Sequence, residues 1–109
     1  MPYDVELADR LRAILSAEEV TEKRMFGGLA FLLGTRLAVS ASGSGGLLVR
    51  VDPDRMKELL ADPRTSLFSM RGREMSGWLR VELDADASEE ELGHWVGIGL
   101  ERARSLPAL

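Results

Sequence analysis

The pair of adjacent glycines Gly27 and Gly28 is the feature that most limits how this 109-residue chain can fold. The pair joins a charged stretch, which ends in Lys23 and Arg24, to the strongly apolar residues 29–33. Glycine adopts positive φ, or lets a second backbone approach closely, at a much lower cost than a residue with a Cβ. The pair therefore predicts a fixed bend or bulge beside a hydrophobic hairpin, and we interpret both glycines as backbone-geometry positions.

The residues around the glycine pair predict an antiparallel sheet. Residues 20–26 form one strand, residues 29–33 a second and residues 36–41 a third, with Gly34 first in the tight turn between the last two. Because side chains alternate across a strand, the apolar residues divide over two faces. One face carries small and half-polar residues together with Leu32, so we expect it to be only partly wetted.

Three segments predict helices. An amphipathic repeat near the N-terminus is N-capped by Asp4, and Asp52 followed by Pro53 opens a short second helix. Ser88 and Glu91 form a capping box that opens the last helix. This last helix contains three glycines, each of which costs roughly 0.5–1 kcal/mol relative to alanine. We therefore expect the helix to approach the sheet, or a second subunit, closely.

Three further segments have the composition of strands: residues 47–51, 66–70 and 78–83. In the last of them, alternation puts Trp78 on the same face as Arg80 and opposite an apolar row. Two interpretations stay open for this tryptophan. Either Trp78 contributes to a partner surface beside arginine, or Gly77 bends the strand and folds the ring onto the edge of the core.

The composition predicts one globular domain over residues 1–109. Hydrophobic residues make up 45% and charged residues 29% of the chain, which has no internal repeat or linker. The absence of cysteine excludes disulfides, thiolate metal sites and cysteine nucleophiles. The chain has no apolar run near the roughly 18 residues of a membrane span and no signal-peptide pattern, so we expect a cytoplasmic protein without membrane contact.

The charge pattern disfavours nucleic acid as a partner. The net charge is −4, and acidic residues outnumber basic ones in the C-terminal quarter of the chain. Tight binding to a phosphate backbone needs clustered basic residues. The glycine-rich residues 42–46 lack the Gly-Lys-Ser/Thr ending of a phosphate loop. One remote alternative is base stacking on Trp78. The arginines that would support it are Arg71, Arg73 and Arg80.

No set of residues predicts catalysis or metal binding. His94 is the only histidine, and without a second histidine or a cysteine it is a poor metal ligand. Glu82, Asp84 and Asp86 lack the glycine and oxygen-ligand spacing of a calcium loop, so we interpret them as a solvated acidic rim. We therefore expect no enzyme activity, no metal and no cofactor.

The motifs taken together resemble a known family. The run Arg24-Met25-Phe26-Gly27-Gly28, followed by an apolar strand, is similar to the N-terminal domain of the TfoX/Sxy family of competence regulators. Further motifs follow in the family's order: Leu48-Val49-Arg50-Val51, Phe68-Ser69-Met70, Gly72-Arg73-Glu74-Met75 and Gly77-Trp78. The resemblance covers nearly the whole chain.

This resemblance implies a fold and, more coarsely, a function. The fold is an α+β domain with two layers, an antiparallel sheet and helices packed on it. Its elements follow a secretion-chaperone-like order of helix, hairpin and strand, helix, strands, helix. The function is a regulatory role linked to transcription or competence. In full-length regulators this domain is joined to a second, C-terminal one, so we expect this chain to be a stand-alone short member lacking the C-terminal domain.

We predict a non-enzymatic regulatory or adaptor domain that acts by protein–protein contact, with an unknown protein partner and as a homodimer. The predicted partner or ligand surface consists of Arg24, Leu32, Arg50, Arg73, Trp78 and Arg80. Its backbone geometry is set by Gly27, Gly28 and Gly77. An alternative is a small-ligand or enzymatic role, in which the bend at the glycine pair and nearby arginines bind a carboxylate or phosphate.

Overall fold

The structure is a computed structural model that describes residues 3–25, 27–70 and 72–106. Helix α1 spans Val5–Ile14, α2 spans Met56–Leu59 and α3 spans Glu89–Ser105. The strands are β1 Val20–Met25, β2 Gly28–Leu33, β3 Arg36–Ala41, β4 Leu47–Arg50, β5 Thr65–Met70 and β6 Arg73–Val81. Phe26, the last residue of the first predicted strand, and Arg71, of the predicted arginine cluster, lie outside the described residues.

The six strands form one antiparallel sheet in the order β1-β2-β3-β4-β6-β5. All three helices contribute apolar side chains to a single buried cluster, which they share with one face of this sheet. The protein is therefore a two-layer α+β domain, and the predicted fold class is confirmed. We call the sheet face in contact with the helices the covered face and the opposite one the open face. β1 and β5 are the two edges of the sheet.

The core lies between the covered face and the helices. Across β2 and β3, Leu29 pairs with Ala41 and Phe31 pairs with Val39, which places one apolar row towards the helices. The helices supply fully buried side chains from the other side: Leu7, Leu11, Leu92, Trp95 and Val96. Because side chains alternate along a strand, this row leaves every second residue for the open face.

Side-chain caps begin α1 and α3 where the sequence predicts them. The Asp4 carboxylate accepts a hydrogen bond from the Leu7 main-chain N–H at 3.1 Å. The Ser88 hydroxyl accepts one from the Glu91 main-chain N–H at 3.0 Å. Each cap satisfies one of the donors that a helix leaves unpaired in its first turn. The capping pattern therefore fixes both helix starts locally.

Strand β6 is longer than the sequence predicts. It begins at Arg73 rather than at Trp78. Gly77, with φ of +86°, lies inside it, and the register between β5 and β6 shifts between Leu67 and Ser69. A bulge of this kind bends a strand and re-aims its side chains without ending it. The prediction of a shorter strand is wrong because the glycine bulges the strand rather than preceding it.

The three glycines of α3 meet different surroundings. A Cβ built on Gly99 would lie 2.4 Å from the Ala38 carbonyl oxygen and 2.7 Å from Val39 Cγ1. Gly99 therefore lets α3 approach β3 closely. In the part of the chain that the structure describes, no atom outside the helix backbone lies within 4 Å of a Cβ built on Gly93 or Gly97. Contact with the sheet thus explains one of the three helical glycines.

Candidate interaction surface

The Gly27-Gly28 pair packs backbone against backbone. Gly27 has φ of +75°. A Cβ on Gly28 would lie 2.1 Å from the Ala41 carbonyl oxygen, and a Cβ on Gly43 would lie 2.6 Å from the Gly27 carbonyl oxygen. Real Cβ atoms do not approach main-chain atoms this closely, so larger residues would push the β1–β2 turn away from the β3–β4 loop. The pair fixes the shape of this end of the sheet.

An aromatic and cationic cluster lies on the open face. Arg50 and Trp78 pair across β4 and β6, and the Arg50 guanidinium carbon is 5.2 Å from the centre of the Trp78 ring. Phe68 contacts the same indole, with ring centroids 6.4 Å apart and an angle of 53° between the planes. Cation–π contacts occur within about 6 Å of a ring centroid, and tilted ring pairs are favourable. We call Arg50, Phe68 and Trp78 the Trp78 cluster.

Gly77 positions the Trp78 cluster. Its main-chain carbonyl accepts a hydrogen bond from the Val51 N–H at 2.9 Å, which ties β6 to the residue after β4. A Cβ at this position would lie 3.4 Å from the Val51 carbonyl oxygen, and the residue is buried. Trp78 is half-buried, and its ring contacts residues of the open face rather than joining the core cluster beneath the helices.

Arg80 lies next to the Trp78 cluster but uses its guanidinium locally. Its Nη1 donates to the Ser44 hydroxyl at 2.7 Å, and its Nη2 donates to the Ser44 carbonyl at 3.4 Å. The register also places Arg80 beside Leu48. Arg80 therefore holds the β3–β4 loop against β6, and both of its terminal guanidinium nitrogens already donate hydrogen bonds within the chain.

The centre of the open face is built from side chains that are small or apolar. Ala30, Ser40 and Leu48 lie beside one another across three strands and are buried. The Ser40 hydroxyl donates to the Leu29 carbonyl at 3.0 Å, so its polar atom is satisfied. Leu32 is half-buried on the same face, as expected from strand alternation. This face is thus a shallow apolar floor with the Trp78 cluster at one side.

Two of the predicted surface residues lie elsewhere. Arg24 pairs with Leu29, whose side chain belongs to the covered face, so Arg24 projects from the exposed edge strand on the helix side. Arg73 is exposed at the beginning of β6, beside the β5–β6 turn. The fold therefore brings together Leu32, Arg50, Trp78 and Arg80 on one face and separates Arg24 from them.

Sequence reasoning missed Phe68 as a member of the surface. Its position in a predicted strand was visible, but its contact with Trp78 depends on the irregular register that the bulge at Gly77 imposes between β5 and β6. The presence of an aromatic residue, Phe68, in the predicted strand that precedes the strand of Trp78 was the available indication. Neither of these two strand segments indicates by itself which strands lie next to each other in the sheet.

Arg50 is affected by burial and by the charge of a second arginine. Burial lowers the pKa of Arg50 below its ordinary value, and the nearby charge of Arg102 on α3 lowers it further. Arg102 Nε is buried and has no hydrogen-bond partner among the described residues. Arg102 lines a small cleft of about 120 Å³ with Asp52, Arg55, Ile98, Glu101 and Ser105. This cleft therefore combines two arginines with two carboxylates, and it contains one buried donor, Arg102 Nε, that no described residue satisfies.

A larger open cleft of about 510 Å³ lies near the start of α3. Arg64 donates to Glu91 at 2.9 Å and pairs with Asp62, whose pKa is lowered by hydrogen bonds from the Arg64 N–H and side chain. The predicted acidic rim lies here too, with Asp84 accepting from the Asp86 N–H at 2.9 Å. Among the described residues, no group of three or more His, Cys, Asp or Glu is arranged to hold a metal ion.

His94 is exposed on α3, with its ring 5.1 Å from that of Trp95 in an edge-to-face arrangement. None of the described helices is long and apolar enough to cross a membrane.

Comparison with known proteins identifies one family. The family model of the TfoX N-terminal domain matches residues 12–103 of the 109-residue chain. The match includes all six strands, the Gly27-Gly28 pair and the Trp78 cluster. A search of curated proteins found no match to the chain.

Proposed function

Since this chain belongs to the TfoX N-terminal domain family, we propose that it is a non-enzymatic regulatory or adaptor domain, related to transcription or competence, that acts by contact with another protein. The surface assigned to this contact is the open face of the sheet, with Leu32, Arg50, Trp78 and Arg80. The covered face cannot serve, because the helices already bury it.

One observation carries this proposal: a half-buried tryptophan between an arginine and a phenylalanine on the face that the helices leave open. Tryptophan and arginine are enriched among the residues that dominate binding energy at protein interfaces, where they lie at the centre of a desolvated patch. Trp78 is the side chain that would insert into the partner. Arg50 places a positive charge against the indole ring. The apolar surface beside Leu32 would exclude water around them.

The test is an affinity capture from the native host with the tagged, nuclease-treated protein. We expect a specific protein to be enriched by the wild type and lost on Trp78→Ala, Arg50→Ala and Leu32→Asp. Arg24→Ala is the matched arginine control, because Arg24 lies on the other side of the sheet; it should retain the partner. Circular dichroism of each variant establishes that it is folded.

Retention of the same partner by folded Trp78→Ala would show that the open face is not the contact surface. Capture that disappears on nuclease treatment, together with salt-sensitive binding to duplex DNA, would instead support the nucleic-acid alternative. Both results would overturn the proposed protein contact.

A second candidate function, binding of a small anion, is favoured by the buried Arg102 Nε, which has no hydrogen-bond partner among the described residues. A carboxylate or phosphate in the small cleft that Arg102 lines with Arg55 would accept a hydrogen bond from the buried donor. We expect phosphate or citrate to raise the melting temperature of the wild type and not of Arg102→Leu. Equal responses of the two proteins would contradict this site.

A further inference from the structure

The two edges of the sheet differ in charge. β1 presents Glu22, Lys23 and Arg24 in succession, and all three are exposed. β5, Thr65–Met70, has the sequence Thr-Ser-Leu-Phe-Ser-Met and contains no charged residue. Charged side chains on an edge strand prevent it from pairing with strands of other molecules. β1 therefore has this protection and β5 does not.

An exposed apolar side chain lies on the uncharged edge. Leu67 is 41% exposed, more than any other large hydrophobic residue in the part of the chain that the structure describes. It lies in the middle of β5, where it pairs with Leu79 of the neighbouring strand β6. A large apolar side chain at the centre of an uncharged edge strand favours contact with another strand.

The main chain of Leu67 is oriented for such a contact. The Arg64 carbonyl accepts from the Glu82 N–H at 2.8 Å, so the carbonyl of position 64 points towards β6. Main-chain groups alternate in direction along an antiparallel strand. Leu67, three residues further on and opposite Leu79, therefore directs its N–H and C=O groups away from β6, into the space beyond the sheet.

We propose that β5 pairs antiparallel with β5 of a second copy of this chain, with Leu67 of each copy facing the other across a two-fold axis. An axis perpendicular to the sheet keeps covered faces on one side and open faces on the other. The two Leu67 residues would then exchange main-chain hydrogen bonds, and Ser66 would lie opposite Phe68 of the second copy. One continuous sheet would run through both molecules.

The choice of a second copy follows from self-complementarity. A two-fold interface uses the same patch on both subunits, so each residue must tolerate its own kind or a near neighbour opposite it. On β5 these pairs join leucine with leucine, serine with phenylalanine and threonine with serine. The same operation on β1 would set Glu22 against Glu22 or Lys23 against Lys23, and like charges directly opposite are destabilising.

Pairing at β5 is separate from the proposed contact with a partner and has a consequence for it. Phe68 lies on β5 and contacts Trp78, so pairing at β5 would bring the two Trp78 clusters to either side of the axis. The open faces of the two copies would form one surface. The dimer would then present two symmetry-related anchors to a partner.

The test is the mass of the purified full chain in solution, by sedimentation velocity and light scattering. We expect a wild-type dimer at micromolar concentrations and at least about tenfold weaker association of Leu67→Lys, because two ammonium groups would face each other at the axis. Thr21→Lys is the matched control, an exposed uncharged position on the β1 edge, and should dimerise as the wild type does. A monomeric wild type, or a dimer unaffected by Leu67→Lys, would overturn the proposal.

A second variant covers the case in which Leu67→Lys fails to fold. The chain has no cysteine, so Leu67→Cys introduces a single thiol at the axis. Residues in a hydrogen-bonded antiparallel pair have Cα atoms about 5.5 Å apart, within the range that a disulfide spans. Mild oxidation should link two Leu67→Cys chains and leave Thr21→Cys unlinked; equal linking of the two would contradict the axis at Leu67.

The measurement is independent of the partner. Trp78→Ala should leave the dimer intact, because the pairing uses the main chain of β5. A wild type that is monomeric yet captures a partner through Trp78 would overturn the dimer and leave the proposed function standing. A dimer that captures no partner would leave the pairing at β5 standing and overturn the proposed function.

Discussion

The two faces of the sheet are made by the same strands and reach burial in different ways. On the covered face, large side chains such as Phe31, Leu79 and Val49 interlock with helix side chains in one cluster. On the open face, Ala30 and Leu48 are equally buried although they stand outside that cluster. The register places Lys23 and Arg80 beside them.

Burial on the open face therefore does not come from the cluster beneath the helices. Long basic side chains cover apolar surface with their aliphatic stems while their charged ends stay in water. A short side chain such as that of Ala30 is easily enclosed in this way, whereas the larger indole of Trp78 remains half-buried. The covered face is therefore suited to stability, whereas the open face keeps its largest side chain, the Trp78 indole, half-buried in contact with Arg50 and Phe68.

Truncating one aromatic residue on each face gives the largest expected contrast. Phe31→Ala removes a fully buried ring from the cluster beneath the helices and should lower the free energy of unfolding by about 3–5 kcal/mol. Trp78→Ala loses a half-buried ring and its contacts with Arg50 and Phe68 and should cost about 1–2 kcal/mol. Urea denaturation measures both. A cost for Trp78→Ala as large as that for Phe31→Ala would mean that the open face is part of the core.

Two glycines of α3 test how closely the helix must approach the covered face. Gly99→Ala places a Cβ 2.4 Å from the Ala38 carbonyl oxygen and should destabilise the protein by about 1–3 kcal/mol. Gly97→Ala, on the side of the helix away from the sheet, should stabilise it by about 0.5–1 kcal/mol because alanine has the higher helix propensity. Effects of the same sign in denaturant titrations would contradict the packing described for α3.

The rim of the covered face gives the smallest expected effect. Arg12 on α1 donates to Glu22 on β1 at 2.6 and 2.8 Å, and this hydrogen bonding lowers the pKa of Glu22 below its ordinary value of 4.5. A carboxylate with a lowered folded-state pKa contributes stability above its ordinary pKa and loses it as the pH falls through the folded value. Glu22→Gln should therefore be slightly less stable than the wild type at pH 7.

Thermal unfolding at a series of pH values measures this small difference, which should vanish as the medium becomes more acidic than the folded pKa of Glu22. Glu19→Gln, at an exposed position before β1, is the control and should follow the wild type throughout. A gap between Glu22→Gln and the wild type that persists in acid would show that the ion pair is not its source.

Several parts of the fold could be predicted because their signals are local. The hairpin at Gly34, the caps Asp4 and Ser88, and the outward face of Trp78 all follow from residues close together in the chain. The length of β6 could not be predicted, because a glycine such as Gly77 is equally compatible with the end of a strand and with a bulge inside one. The surface residues were partly found: Arg50 and Trp78 meet, whereas Arg24 lies on the helix side.

The amino-acid sequence by itself determined the α+β class, the helix starts and the alternation of each strand, because periodicity and capping depend on residues within a few positions of one another. Only the tertiary structure decided that β4 lies beside β6, which puts Arg50 over Trp78, and that Phe68 completes the cluster. It also decided that β5 is an edge. Such pairings join distant segments, and their order follows from packing of the whole sheet against the helices rather than from either segment alone.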